Sequence, residues 1–302
     1  MNWDFEVLVE PIGLTEGPAW DGTGLLFTNI PNDRVMRYVP SAGTRPGEAK
    51  GELSVVRNGT NGANGLMFDK DGRLYACEGT ARRMVRYEPD GGVTVICDNY
   101  EGKRLNSPND LAIDNQGRIW FTDPRYGGKE DDLELDHQSV FRLDPQADGS
   151  WHCVRMTYDT TSPNGLLLSP DNKTLYVAQS KYGEGHAREL RAYPILEDGT
   201  LGEYAVLHNF YPHRGIDGMV LDREGNIIAS AGRELSGPGG MIYVFEPNGR
   251  VLETHPTPCQ RPTNCSFGDA DLRTLYVTSI EGHLIRAHTN RQGLLHYPDP
   301  RG

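Results

Sequence analysis

Short apolar runs, broken at regular intervals by Asp, Asn and Gly, follow one another along the whole chain. The run Leu111-Ala112-Ile113 meets the turn Asp114-Asn115-Gln116-Gly117 and then Arg118-Ile119-Trp120-Phe121-Thr122. Two β-rich runs on either side of a Gly-bearing turn predict a hairpin. The same unit recurs as Gly17–Trp20 with Leu25–Thr28, Gly65–Phe68 with Arg73–Ala76, and Gly165–Leu168 with Thr174–Val177. It returns as Gly218–Leu221 with Asn226–Ala229 and as Cys265–Phe267 with Thr274–Val277. A third apolar run follows each pair, for example Val35–Tyr38 and Met84–Tyr87, and often a fourth, such as Val93–Ile96.

Four strands per unit, repeated about every 45–55 residues, predict the blades of a β-propeller. Six units predict an all-β, six-bladed β-propeller with four-stranded blades, one domain over residues 1–302. The sixth unit lacks a fourth strand, and a spare run, Phe5–Val9, precedes the first. That N-terminal strand is expected to complete the last blade and close the ring, which removes exposed sheet edges. The acidic stretch from Tyr126 to Ser139 is expected to be a surface loop.

The residues one position before the repeats are Glu16, Asn64, Asn109, Asn164, Asp217 and Asn264. All are carboxylates or carboxamides. A propeller's first strands line its axis, so equivalent positions converge there. Asn or Asp before Gly also favours turns, but six copies in register argue for a ring of oxygen donors. Such a ring suits a hard divalent cation. It lacks the sulfur and imidazole that would point to zinc.

Composition narrows the partners. A net charge of −12 argues against nucleic acid, since binding a polyanion needs a basic face. No apolar run is long enough to span a bilayer, and the N-terminus lacks the pattern of a signal peptide. Five cysteines, none in CxxC spacing, read as reduced thiols and, with the missing signal, as a cytoplasmic protein. Asp69-Lys70-Asp71-Gly72 fails as a calcium loop, because Thr80 stands at its twelfth position. HExxH, GxSxG and P-loop motifs are absent. His213, four residues before Asp217, has no role assigned by sequence.

Six segments together resemble the gluconolactonase, senescence marker protein (regucalcin) and luciferin-regenerating enzyme superfamily. They are Thr15–Trp20, Asn106–Asp110, Phe121–Pro124, Ser162–Gly165, Gly215–Met219 and Pro262–Cys265, and the bacterial gluconolactonase-like branch looks most similar. The resemblance implies one divalent cation in the axial channel, calcium with magnesium, manganese or zinc as alternatives. It implies Glu16, Asn164 and Asp217 as ligands, with Asn109 a fourth ligand or a substrate contact. Asn64, Arg125 and Tyr126 are further candidate substrate contacts.

The implied activity is hydrolysis of a small sugar lactone to an aldonic acid. The cation would polarise the lactone carbonyl, and Asp217 would activate or position the attacking water. Two alternatives stand beside it: a phosphotriesterase-like hydrolase on the same site, and a non-catalytic metal-binding propeller.

Overall fold

A computed structural model describes residues 3–41, 51–126, 130–181 and 183–297. Six four-stranded antiparallel sheets are arranged as the blades of a propeller. The inner strands are Thr15–Trp20, Ala63–Phe68, Leu111–Ile113, Pro163–Leu168, Ile216–Leu221 and Pro262–Gly268. In blades one to five the chain runs outward strand by strand. In blade six the outermost strand is Glu6–Val9, paired antiparallel with Leu284–His288. The expected closure is present. Leu8 and Val9 bury into the core beside Ile285, and Glu6 pairs with Arg286. Trp3 stacks on His255 with ring centroids 3.9 Å apart and donates to Asn290 Oδ1 over 3.0 Å.

The cores lie between sheets, where apolar faces of neighbouring blades meet. Phe121, Phe141, Leu105 and Leu111 join Tyr75 and Met84 between blades two and three. Outer strands such as Glu52–Asn58 and Val93–Cys97 are largely exposed. Among the described residues helix is confined to two short 3₁₀ turns, Ile30–Asn32 and Glu130–Asp132. A two-stranded ribbon, Asn99–Tyr100 with Lys103–Arg104, was not anticipated; it lies in the connection that leads to Asn109. No helix among the described residues is long and apolar enough to cross a membrane. Gly127–Lys129 of the acidic loop, and the termini of the 1–302 span, lie outside the described residues.

Up-and-down order fixes which loops share a face. Each inner strand starts at one end of the propeller, so the connections into inner strands lie at that end. The loops between second and third strands return to it as well. The Asp/Asn/Gly hairpin turns lie at the other end. There Gly293 donates to Leu272 O over 2.8 Å and Leu294 to Leu221 O over 3.0 Å. The segment then reaches Tyr297, whose ring packs on Phe68 and Gly72. Leu294–Tyr297 thereby floor an axial cavity of about 280 Å³ whose wall also includes Asp110 and Asn264.

Candidate active site on the propeller axis

The six polar positions fall at equivalent places on or beside the inner strands. Five of them lie within those strands, and only Asn109 stands ahead of its strand. The following glycines serve close approach of neighbouring strands rather than a turn. A Cβ on Gly17 would lie 2.1 Å from Asn64 O, and one on Gly165 would lie 2.4 Å from Asp217 O. Side chains at these places would drive adjacent blades apart. Each glycine thus lets the next blade's polar residue approach the axis.

All six residues converge. Asn64 Nδ2 donates to Asn109 Oδ1 over 2.6 Å, and Asn109 Nδ2 donates to Asn164 Oδ1 over 2.8 Å. Asn164 in turn hydrogen-bonds the Asp217 carboxylate. Three amides and one carboxylate from four successive blades form a chain with one direction. On the other side of the axis Asn264 hydrogen-bonds Glu16 and donates to Asp110 Oδ2 over 3.2 Å. Glu16 Oε2 also accepts from its neighbour Gly17 N over 2.8 Å.

Two residues of this constellation were missed. Asp110 occupies the place that Gly17, Gly65, Gly165 and Gly218 hold in other blades. That break in the polar–Gly pattern was a visible signal. Its Oδ1 accepts from Leu111 N over 2.9 Å, while Oδ2 reaches across the axis to blade six. Arg214 is fully buried, and its Nη2 pairs with Asp217 Oδ2. Three positions before the ring the repeats carry Gly13, Asn61, Asn106, Thr161, Arg214 and Arg261, so an arginine recurs there in blade six but not in blades one to four.

Burial dominates the electrostatics. It raises Glu16 well above the usual carboxylate range, and the charges of Asp217 and Asp110 add to the effect. Burial pushes Asp110 up to about 7, against the pull of the Leu111 amide and Asn264. Asp217 is also raised by burial, with Arg214 and Asn164 opposing the shift. Three carboxylates thus crowd the axis at a cost that a cation would relieve.

The other candidates stand elsewhere. Arg125 and Tyr126 belong to the loop between the second and third strands of blade three, at the ring's end of the propeller. The Arg125 guanidinium is engaged in a two-pronged pair with Asp132, at 2.9 and 2.5 Å. Tyr126 is partly exposed. His213 is half-buried against Gly237, and its Nδ1 has no hydrogen-bond partner. Among the described residues no three His, Cys, Asp or Glu side chains are grouped to hold a metal. A cation on the axis would therefore need the carboxamides as well as Glu16 and Asp217.

Residues 14–281 match the family model described as SMP-30/Gluconolactonase/LRE-like region. The chain belongs to this family. It is 33% identical to a gluconolactonase of Zymomonas mobilis over 95% of this chain and 82% of that protein. A pentonolactonase of Haloferax volcanii is 28% identical, covering 89% of this chain and 82% of the relative. Among solved structures, a gluconolactonase from Xanthomonas campestris superposes with a TM-score of 0.79 at 33% identity, covering 95% of this chain and 89% of that one.

Proposed function

We propose that the protein hydrolyses sugar lactones to aldonic acids at the axial ring. The observation that carries the reading is Asp217, a half-buried carboxylate on the axis, held by Arg214 and Asn164. The similarity to gluconolactonases and a pentonolactonase supports the substrate class.

The residues fit a hard divalent cation. Glu16, Asn109, Asn164 and Asp217 would hold it; Asn164 Oδ1 accepts one hydrogen bond and keeps a second lone pair. Calcium suits such a set, with magnesium, manganese or zinc as alternatives. When bound, a cation supplies Lewis acidity toward the lactone carbonyl.

The chain's own groups do the rest. Asp217, fixed at one oxygen by Arg214, presents its remaining lone pairs to a water and accepts its proton as the water attacks the acyl carbon. Asn64 and Asn109 hold the amide chain in one orientation and offer donors to sugar hydroxyls. Arg125 and Tyr126, at the same face, are the candidate outer contacts of the sugar. A buried polar ring aligned in advance costs little reorganisation as charge develops on the carbonyl oxygen.

A pH-indicator assay over a panel of sugar lactones tests the reading, using chelator-treated enzyme refilled with single metals. Turnover above the uncatalysed background that returns with one cation is expected. Hydrolysis of a fluorophosphate ester in place of every lactone would favour a phosphotriesterase. Cation binding with no turnover of either substrate would favour a binding propeller.

A further inference from the structure

Asp217 is held by a device that reaches beyond its own blade. Arg214 lies three residues earlier, in the connection into the inner strand of blade five. Its Nη1 donates to Gly232 O over 3.0 Å and to Pro262 O over 2.8 Å. Gly232 is on the second strand of blade five, and Pro262 opens the inner strand of blade six. Two backbone carbonyls from two blades therefore fix the guanidinium plane. Its other terminal nitrogen, Nη2, is left aimed at Asp217 Oδ2. A planar fork held from behind can orient a carboxylate in a way that a flexible ammonium cannot.

The charge matters as much as the geometry. Glu16, Asp110 and Asp217 act on one another electrostatically around the axis. Arg214 sets a positive charge against the one carboxylate that also ends the amide chain from Asn64. We propose that Arg214 is a positioning residue for Asp217, fixing one carboxylate oxygen so that the other faces the reacting water. This inference rests on the lactonase reading. It adds a residue that neither the ring pattern nor the ligand set includes.

Three variants test it: Arg214→Lys, Arg214→Gln and Arg214→Ala. Each is compared with wild type by circular dichroism, thermal melting, lactone kinetics and calorimetric titration with calcium. If Arg214 positions Asp217, the folded variants lose kcat by about 10²-fold, the scale set by misplacing a catalytic group by about 1 Å. KM then moves much less than kcat. Guanidinium chloride restores turnover to Arg214→Ala, while ammonium chloride at the same ionic strength does not. Calcium affinity falls in Arg214→Gln.

If Arg214 only staples loops to the Gly232 and Pro262 carbonyls, melting temperature falls but turnover per folded molecule stays at the wild-type level. That outcome, or absence of guanidinium rescue, overturns the proposal. Should Arg214→Ala fail to fold, Arg214→Lys carries the same decision, because it keeps charge and bulk: wild-type kcat in that variant also overturns it. A wild-type protein with neither lactone turnover nor calcium binding would show instead that the underlying functional reading has failed, and the inference would fall with it.

Discussion

Asn109 Nδ2 donates to Asn164 Oδ1 over 2.8 Å, although 55 residues of chain separate the two. The bond joins blades three and four at the axis, and it fixes which end of each amide faces its neighbour. Asn64 donates into Asn109, Asn109 into Asn164, and Asn164 to the Asp217 carboxylate. The orientation of the group proposed to meet water is thus set by residues more than one hundred positions upstream.

Asn109→Asp tests this chain. A carboxylate there cannot donate to Asn164, and it adds negative charge beside Glu16, Asp110 and Asp217. Lactone kcat/KM is expected to fall on the order of 10²-fold with the fold retained. Asn64→Ala, one bond further away, is expected to cost about tenfold, or roughly 1.4 kcal/mol. Steady-state kinetics decide, and equal losses in both variants would speak against a directional chain.

Gly165→Ala should damage the ring from the backbone side. The new Cβ would stand 2.4 Å from Asp217 O, a main-chain atom with little room to move. Overpacking of this kind costs about 1–3 kcal/mol. Urea denaturation should register that loss, together with weaker turnover because blade five shifts against blade four. An unchanged denaturation midpoint would show that the blades slide freely here.

The N-terminal strand should carry a large share of stability. Deleting residues 1–10 exposes the pocket filled by Trp3, Leu8 and Val9 and leaves Arg286 without Glu6. Each buried apolar side chain contributes about 1.5–3 kcal/mol. The melting temperature is expected to drop on the order of 10 °C. A truncated protein that melts with the full chain would contradict the closure.

Asp123 makes stability depend on pH. Its carboxylate accepts from Asn106 N at 2.7 Å and Ser107 N at 2.8 Å, anchoring the segment that leads to Asn109. Burial nevertheless pushes it up to about 7. The unfolded side chain titrates near about 3.9. Between these values the folded chain holds a proton that the unfolded chain lacks. The stability it contributes is therefore present at low pH and lost as pH rises through about 7. Asp123→Asn is neutral throughout. Urea midpoints at pH 5 and pH 7.5 should fall further for wild type than for the variant; identical responses would refute this assignment.

Much of the fold was legible because each blade repeats one local rule: an apolar strand, an Asp/Asn/Gly turn and a second strand. Even the closure could be read, since a spare strand at one end matched a missing strand at the other. The ring positions were legible for the same reason. Read one copy at a time, Asn or Asp before Gly suits a turn equally well. Only the neighbouring blade shows that Gly17 and Gly165 are small to admit Asn64 and Asp217. Arg214 was harder to see. Besides Asp217 its partners are Gly232 O and Pro262 O, and backbone atoms write nothing into the sequence.

Lactone hydrolysis at the axial ring is proposed to run through Asp217. The most direct measurement is initial-rate hydrolysis of a sugar lactone by wild type and Asp217→Asn, each chelated and then refilled with calcium. The wild type is expected to turn over only when refilled. The variant should fall at least about 10³-fold, a loss of roughly 4 kcal/mol in transition-state stabilisation, while its melting temperature stays within a few degrees of wild type. Substantial turnover by a folded Asp217→Asn variant would contradict the account.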